Sequence, residues 1–414
     1  MFRIFKKSKK SKARVGIIKT AHGIIKTPFF MPDATRGFVK MIDNHESKKF
    51  GIQSVVINTL HLYLQPGVKV IKKFKGAHNF MNWQKSLLSD SGGFQIFSLI
   101  HKSGKMGSIN DDGAIFKSPI DGAQHKLTPE KSIQIQFDLG VDMIVALDDC
   151  PPNEFERASI EKSVKRTIEW AKRCREEYDK QVKKRKIASQ NFLPLLFGVI
   201  HGGAELDLRK KCAVELIKLN FDGYCFGARP VDKQGNFLDK ALQCTADLIP
   251  EDKLRFALGV GRPEDIFRCV KYGWDMFDCV IPTREARHGR LYKFFPDYGR
   301  ICSVKYIPLA QKSRMVNRKS KIKNSNFKIE SNFKPQTSKF YDILNINNSK
   351  FRADTNSIDR NCDCELCQDY SAGYMHHLFK IKEPLGARLA TIHNLKFYLK
   401  LMEIIRKEIK RGEI

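Results

Sequence analysis

The chain has 414 residues, 42% of them hydrophobic, which allows a large buried core and exceeds one minimal domain. Lys and Arg number 74 against 45 Asp and Glu, a formal net charge of +29, so nucleic acid or acidic lipid is the natural partner for its surface. No apolar run approaches a membrane span, and 11 cysteines, mostly single within apolar segments, suit a reducing compartment and not a disulfide framework.

Residues 1–13 are basic, carry no acid, and are not followed by a signal-type apolar stretch, so they read as a flexible basic arm. Val15 to Phe30 reads as a hairpin, with Ile17-Ile18 and Ile24-Ile25 flanking Ala21-His22-Gly23. After it, apolar runs alternate with helical patterns. The strands are expected at Ser54–Asn58, Leu87–Ser89, Met143–Leu147, Leu195–Ile200, Tyr224–Phe226, Phe256–Leu258 and Met276–Val280. Between them, Arg157–Lys183, Leu208–Leu219 and Phe237–Leu248 are amphipathic, and Pro263-Glu264-Asp265 is a helix start with proline in the first turn. Buried strands alternating with helices imply a parallel sheet. Some eight strands in a span of 14–300 suit an α/β TIM (β/α)8 barrel preceded by an N-terminal hairpin.

A barrel places its active groups at the C-terminal ends of its strands. Asn58, Asp90, Asp148 and His201 each end an apolar run, and Asp278 falls late in another. Although polar residues end strands in any protein, five such positions favour one shared site. The stretch Asp275 to Tyr292 is the densest of these signals. A carboxylate, Asp278, sits in an apolar strand, where it is costly unless paired or used. Pro282 ends the strand, and Arg284, Arg287, His288 and Arg290 follow, a basic loop suited to holding a phosphate chain over Asp278.

Residues 301–350 change character. Lys305–Lys350 holds eleven Lys or Arg against two acids, Glu330 and Asp342, among many Asn and Ser, and reads as a basic low-complexity insertion. Residues 351–414 form a zinc-binding subdomain with helices that close the barrel. Its signal is Cys362-Asp-Cys364-Glu-Leu-Cys367, three thiolates in six residues. The fourth ligand is open among His376, His377 and His393. A closed Cys3His site leaves no position for water and is structural.

Together these motifs resemble the tRNA-guanine transglycosylases, the queuine tRNA-ribosyltransferase family. The resemblance is carried by Asn58-Thr59-Leu60-His61-Leu62, Ser89-Asp90-Ser91-Gly92-Gly93-Phe94-Gln95, Leu147-Asp148-Asp149-Cys150-Pro151, Leu258-Gly259-Val260-Gly261, Pro263-Glu264-Asp265 and Asp275 to Arg287. It implies a TIM barrel that swaps guanine at the wobble position (G34) of tRNA for a 7-deazaguanine. By the resemblance, Asp278 is the nucleophile on the ribose and Asp90 the acid/base. Asp148 reads the base edge and Phe94 stacks on it, with Asn58, Ser91, Gly92, Gly93, His201, Gly227 and Ala228 completing the pocket. Gly259, Val260, Gly261 and Arg262 form a phosphate-contacting turn, and Thr283, Arg284 and Arg287 meet the anticodon nucleotides. One structural Zn2+ is implied at Cys362, Cys364, Cys367 and His393. The implied partners are tRNAs of the Asp, Asn, His and Tyr type with GUN anticodons and a preQ1 or queuine base; a cytoplasmic homodimer, without membrane attachment, is implied too.

Four positions depart from the family pattern: His201 for Gln, Gly227-Ala228-Arg229 for Gly-Gly-Leu, Lys233 near where many relatives place an acid, and Leu60 for Tyr. They leave the inserted base open among queuine, preQ1 and preQ0. The alternatives are a non-catalytic tRNA-binding subunit of an active partner, and a transglycosylase acting at another nucleic-acid position.

Overall fold

The computed structural model describes residues 1–103, 106–152, 155–187, 193–295 and 340–414. Eight short apolar runs form one parallel sheet in the order Phe29–Pro32, Met276–Cys279, Leu254–Ala257, Gly223–Phe226, Leu195–Ile200, Met143–Val145, Ser86–Asp90 and Ser54–Asn58. A parallel bridge between Asp33 and Val56, with Ala34 N–H donating to the Val56 carbonyl at 2.7 Å, joins the last strand to the first and closes the ring. Side chains alternate along each strand. Phe29, Met31, Val56, Leu88, Met143 and Phe256 fill the barrel, whereas Phe30, Val55, Ile57 and Leu87 pack outward against helices. Burying such a side chain contributes about 1.5–3 kcal/mol, so this two-sided burial is the main reason these runs become strands.

Local signals set the helix ends. Thr128 caps Pro129–Leu139 by accepting from Lys131 N–H, Pro129 occupies the first turn, and Gly140 closes it at φ 67°. The 31-residue helix Arg157–Ile187 buries Ile160, Val164, Ile168, Ala171 and Cys174, the stripe expected from the sequence.

Several expectations are corrected. Phe2–Lys7 is no loose arm but a strand pairing antiparallel with Arg14–Thr20. The hairpin ends at Thr27, and Phe29–Pro32 is the first barrel strand. The stretch after Asp278 is the helix Ile281–Arg287, with Pro282 in its first turn, where a strand end at Pro282 and a following basic loop were expected. A three-stranded antiparallel sheet, Gly107–Asn110, Gly113–Lys117 and Gln124–Leu127, is inserted after the third barrel strand, beyond the expected strands. Of the basic insertion, residues 301–339 lie outside the described residues, while Tyr341–Asn345 is a strand paired with Arg290–Phe294.

The C-terminal helix Pro384–Arg411 clamps this end of the barrel. Its buried Asn394 accepts from Tyr292 N–H at 3.1 Å and donates to the carbonyls of Pro282 at 3.0 Å and Arg290 at 2.9 Å. One amide thus ties the helix that follows Asp278 to the C-terminal subdomain. No helix among the described residues is long and apolar enough to cross a membrane.

Candidate active site

The C-terminal ends of the barrel strands bring Asn58, Asp90, Asp148, His201, Gly227 and Asp278 to one mouth. Met276 faces the barrel interior, and Asp278, two residues on, faces the same way. Its Oδ1 accepts from Gly259 N–H at 3.0 Å. Among the described residues its Oδ2 accepts nothing. Burial pushes the Asp278 carboxyl up to about 7, the Gly259 N–H opposing and the charges of Asp33 and Asp90 adding to the rise. The Gly259 turn fits because φ there is +71°, a backbone state that favours glycine. At Gly261 a Cβ would meet Cys279 Sγ at 1.9 Å, so this turn lies directly on the Asp278 strand.

Asp90 ends the neighbouring group of strands. Its Oδ2 accepts from Asn58 Nδ2 at 2.7 Å and Gln95 Nε2 at 3.3 Å, and its Oδ1 from the N–H groups of Gly92 at 3.1 Å and Thr59 at 3.2 Å. Asn58 does two jobs, since its Oδ1 also caps the helix Thr59–Leu62 by accepting from His61 N–H. Burial raises Asp90 to about 6 despite these donors. Two carboxyls with displaced pKa values in one pocket are the arrangement expected of an acid/base pair.

On the next two strands round from Asp90, His201 Nε2 donates to Asp148 Oδ2 at 2.5 Å. The ring is 2% exposed and lies so close to Gly227 that a Cβ there would meet Nε2 at 2.6 Å. The next residue, Ala228, holds φ 112°, a left-handed state uncommon for a residue with a side chain. Ser91, Gly92 and Gly93 form the turn beside Asp90, with Gly92 at φ +79° and no room for a Cβ against Leu60 N. Phe94 follows at the head of the helix Gly93–Ser103, half exposed at the rim. Val260 is buried, Arg262 is exposed at the cap of the helix Pro263–Lys271, and Thr283 is buried with its hydroxyl on the Val280 carbonyl. Arg284 is exposed, whereas Arg287 is half-buried and its Nη1 finds no hydrogen-bond partner among the described residues.

Two residues escaped the sequence reading. Arg209, fully buried on the helix Leu206–Lys218, donates to the carbonyls of Gly203, Ile200 and Gly227 at 2.8, 3.2 and 3.1 Å and stacks on Phe226. It knots together the loops carrying His201 and Gly227, and burial lowers it to about 9. Only its place on an otherwise apolar helix face signalled this. The other is Asp33, a further inward carboxylate, marked by the alternation Phe29, Met31, Asp33.

Cys362, Cys364, Cys367 and His393 place their ligand atoms within 4.8 Å of one another. His393 Nε2 donates to the Tyr292 carbonyl at 2.7 Å, which leaves Nδ1 as the lone-pair nitrogen facing Cys364 Sγ at 3.5 Å and Cys367 Sγ at 3.3 Å. A tetrahedron of sulfur and nitrogen about zinc has edges of roughly 3.6 Å, so the donor set fits that ion. His376 instead turns its Nδ1 to the Ile346 carbonyl at 2.7 Å. His393 therefore settles the choice among the three histidines.

A parallel barrel with a carboxylate-lined C-terminal mouth and a separate Cys3His centre is the layout of a TIM-barrel enzyme with a structural metal subdomain. Comparison with known proteins narrows the class. The profile of the family described as Queuine tRNA-ribosyltransferase matches residues 8–414. The queuine tRNA-ribosyltransferase of Thermoanaerobacter pseudethanolicus is 38% identical over 413 residues, covering 100% of this chain and 94% of that protein. That of a Psychrobacter species is 39% identical over 399 residues (96% and 90%), and that of a Staphylococcus aureus strain 38% over 409 (99% and 92%). The chain belongs to the queuine tRNA-ribosyltransferase family, enzymes that act as tRNA-guanine transglycosylases.

Proposed function

We propose that this protein exchanges guanine at position 34 of GUN-anticodon tRNAs for a 7-deazaguanine, preQ1 or queuine, through a covalent Asp278–ribosyl ester. The observation that supports it best is the pair Asp278 and Asp90, two inward carboxyls at one mouth with pKa values of about 7 and about 6. In the first half-reaction Asp278 Oδ2 attacks C1′ of the ribose, the bond from C1′ to N9 breaks, and protonated Asp90 delivers a proton to the departing guanine. In the second, Asp90 takes the N9 proton of the incoming base, N9 attacks C1′, and Asp278 leaves as a carboxylate. The titrations belong to the pair; burial lifts Asp278 further than Asp90, so the productive form is the one in which the single proton has passed to Asp90 and Asp278 is ionised. Gly259 N–H keeps Asp278 Oδ1 occupied and so presents Oδ2.

Asp148 reads the amino and ring N–H groups of the base through Oδ1, while His201 fixes the carboxylate through Oδ2. Phe94 stacks on the base. Arg284 and the Nη1 of Arg287, which no described residue satisfies, meet the anticodon nucleotides. Cys362, Cys364, Cys367 and His393 hold one structural zinc ion, which supplies no chemistry and secures the long C-terminal helix. A tRNA substrate places the reaction in the cytoplasm.

The test is incorporation of labelled guanine into an unmodified GUN tRNA, beside a G34→A tRNA and the Asp278→Ala protein. Incorporation that needs both G34 and Asp278 is expected. Tight tRNA binding with no incorporation would instead indicate a non-catalytic subunit, and incorporation into the G34→A tRNA another target position.

A further inference from the structure

The strand Phe29–Pro32 lies between the strand of Asp278 and the strand of Asn58. Its register sets Met31 against Asp278, and the bridge sets Asp33 against Val56. Met31 and Val56 both face the barrel interior, and bridged neighbours share a face, so Asp33 projects into the mouth between the nucleophile and the Asn58–Asp90 pair. It is half-buried there. Thr35 Oγ1 donates to Oδ1 at 2.5 Å, and no hydrogen bond among the described residues reaches Oδ2. The charge of Asp33 acts on Asp278, Asp90, His61 and Arg287, which places it among them.

A carboxylate held at one oxygen and open at the other is an acceptor waiting for a donor. Asp278 must meet C1′, so the neighbouring acceptor meets the sugar and not the base. Within an RNA chain the 3′ and 5′ oxygens are esterified, and the 2′-hydroxyl is the one sugar O–H free to donate. We infer that Asp33 accepts a hydrogen bond from the 2′-hydroxyl of the nucleotide undergoing exchange, so that it orients the ribose over Asp278 and selects RNA over DNA. The inference rests on the exchange reaction proposed above.

The experiment uses the full chain and two anticodon stem-loop RNAs, one all-ribo and one with a single 2′-deoxyguanosine at the exchanged position. Guanine exchange is measured as kcat/KM for wild type, Asp33→Asn and Asp33→Ser. Losing the 2′-oxygen makes a glycosidic bond intrinsically easier to break, so slower exchange on the enzyme reports a lost contact. The wild type is expected to lose about tenfold or more on the deoxy substrate, the size of a hydrogen bond to a charged group. The variants are expected to be slower on the all-ribo substrate and to show little further loss on the deoxy one. A wild type indifferent to the 2′-hydroxyl overturns the assignment whether or not the variants fold. Variants that keep the full deoxy penalty overturn it as well. A wild type that exchanges no guanine even on all-ribo RNA defeats the proposed reaction, and this inference with it, and is recognisable as that separate result.

Discussion

The two ends of the barrel treat the same residue type in opposite ways. Asp275 and Asp278 stand three residues apart on either side of the start of one strand. Asp275, fully buried at the floor, receives Arg14 through two bonds, Nε at 2.9 Å and Nη2 at 2.6 Å, and Arg255 N–H at 3.0 Å. At the same end Asp142 accepts from Leu87 N–H at 2.9 Å and from His22 Nδ1 at 2.9 Å, with His78 Nε2 at 3.1 Å. Burial alone would raise Asp142, but His78, the Leu87 N–H and His22 hold it below the ordinary carboxylate range. At the mouth, Asp278 has one backbone donor and Asp33 one hydroxyl, and burial pushes Asp278 up to about 7. The floor carboxylates are saturated with donors, as is Asp90 at the mouth, whereas Asp278 and Asp33 are each left with one.

The largest expected effect separates the two ends directly. Asp278→Asn is expected to lower guanine exchange on the order of 10³-fold or more, with tRNA affinity and zinc content retained. Affinity falling in step with activity would assign Asp278 to the scaffold. Asp275→Ala is the mirror image. It leaves Arg14 buried without its partner and is expected to cost about 3–5 kcal/mol in urea unfolding, while each folded molecule still exchanges guanine. Loss of activity without loss of stability would erase the distinction between floor and mouth.

Removing the metal falls next. His393→Ala or chelation is expected to release one zinc and lower the melting temperature, with early protease cleavage in the subdomain bearing Tyr341–Asn345. Activity would follow the loosened grip of Asn394 on the segment after Asp278. Unchanged stability after complete metal loss would remove its structural role.

The smallest effect is the most diagnostic of the comparison. A carboxyl whose pKa is raised in the folded state costs stability as pH rises from its unfolded value near 4 to about 7. Asp278→Asn is therefore expected to raise the melting temperature by a few degrees at pH 8 and by nothing at pH 4. Asp142, lowered in the fold, runs the other way: its stability is present above the unfolded value and is lost as pH falls through the folded one. Asp142→Asn should thus destabilise at pH 8 and converge on wild type in acid.

The sequence exposed the mouth better than the floor. Asn58, Asp90 and Asp278 each interrupt an apolar run, and that interruption is visible without coordinates. The cysteine spacing likewise marked the Cys3His cluster that could hold a metal ion, although choosing His393 over His376 needed the ring contacts. Asp33 was hidden because Phe29–Pro32 continues from the hairpin and ends in proline, so it reads as the tail of an antiparallel pair. Arg209 was hidden because a cation on an amphipathic helix is ordinarily solvated, and only tertiary packing turns this one inward. Phe2–Lys7 reads as an arm because its charge outweighs its alternation, yet Arg14–Thr20 gives it a pairing edge. In each case a long-range neighbour overrode the local pattern.

The central claim is that Asp278 forms a bond to the ribose, and trapping that bond tests it most directly. Enzyme and unmodified GUN tRNA are mixed without added base, quenched under denaturing conditions, and analysed by denaturing gel and intact mass. The account predicts a covalent species with the mass of protein plus tRNA less one guanine, absent with Asp278→Asn and discharged when guanine is supplied before the quench. Steady guanine exchange with no such species, or an adduct that persists in Asp278→Asn, would contradict it.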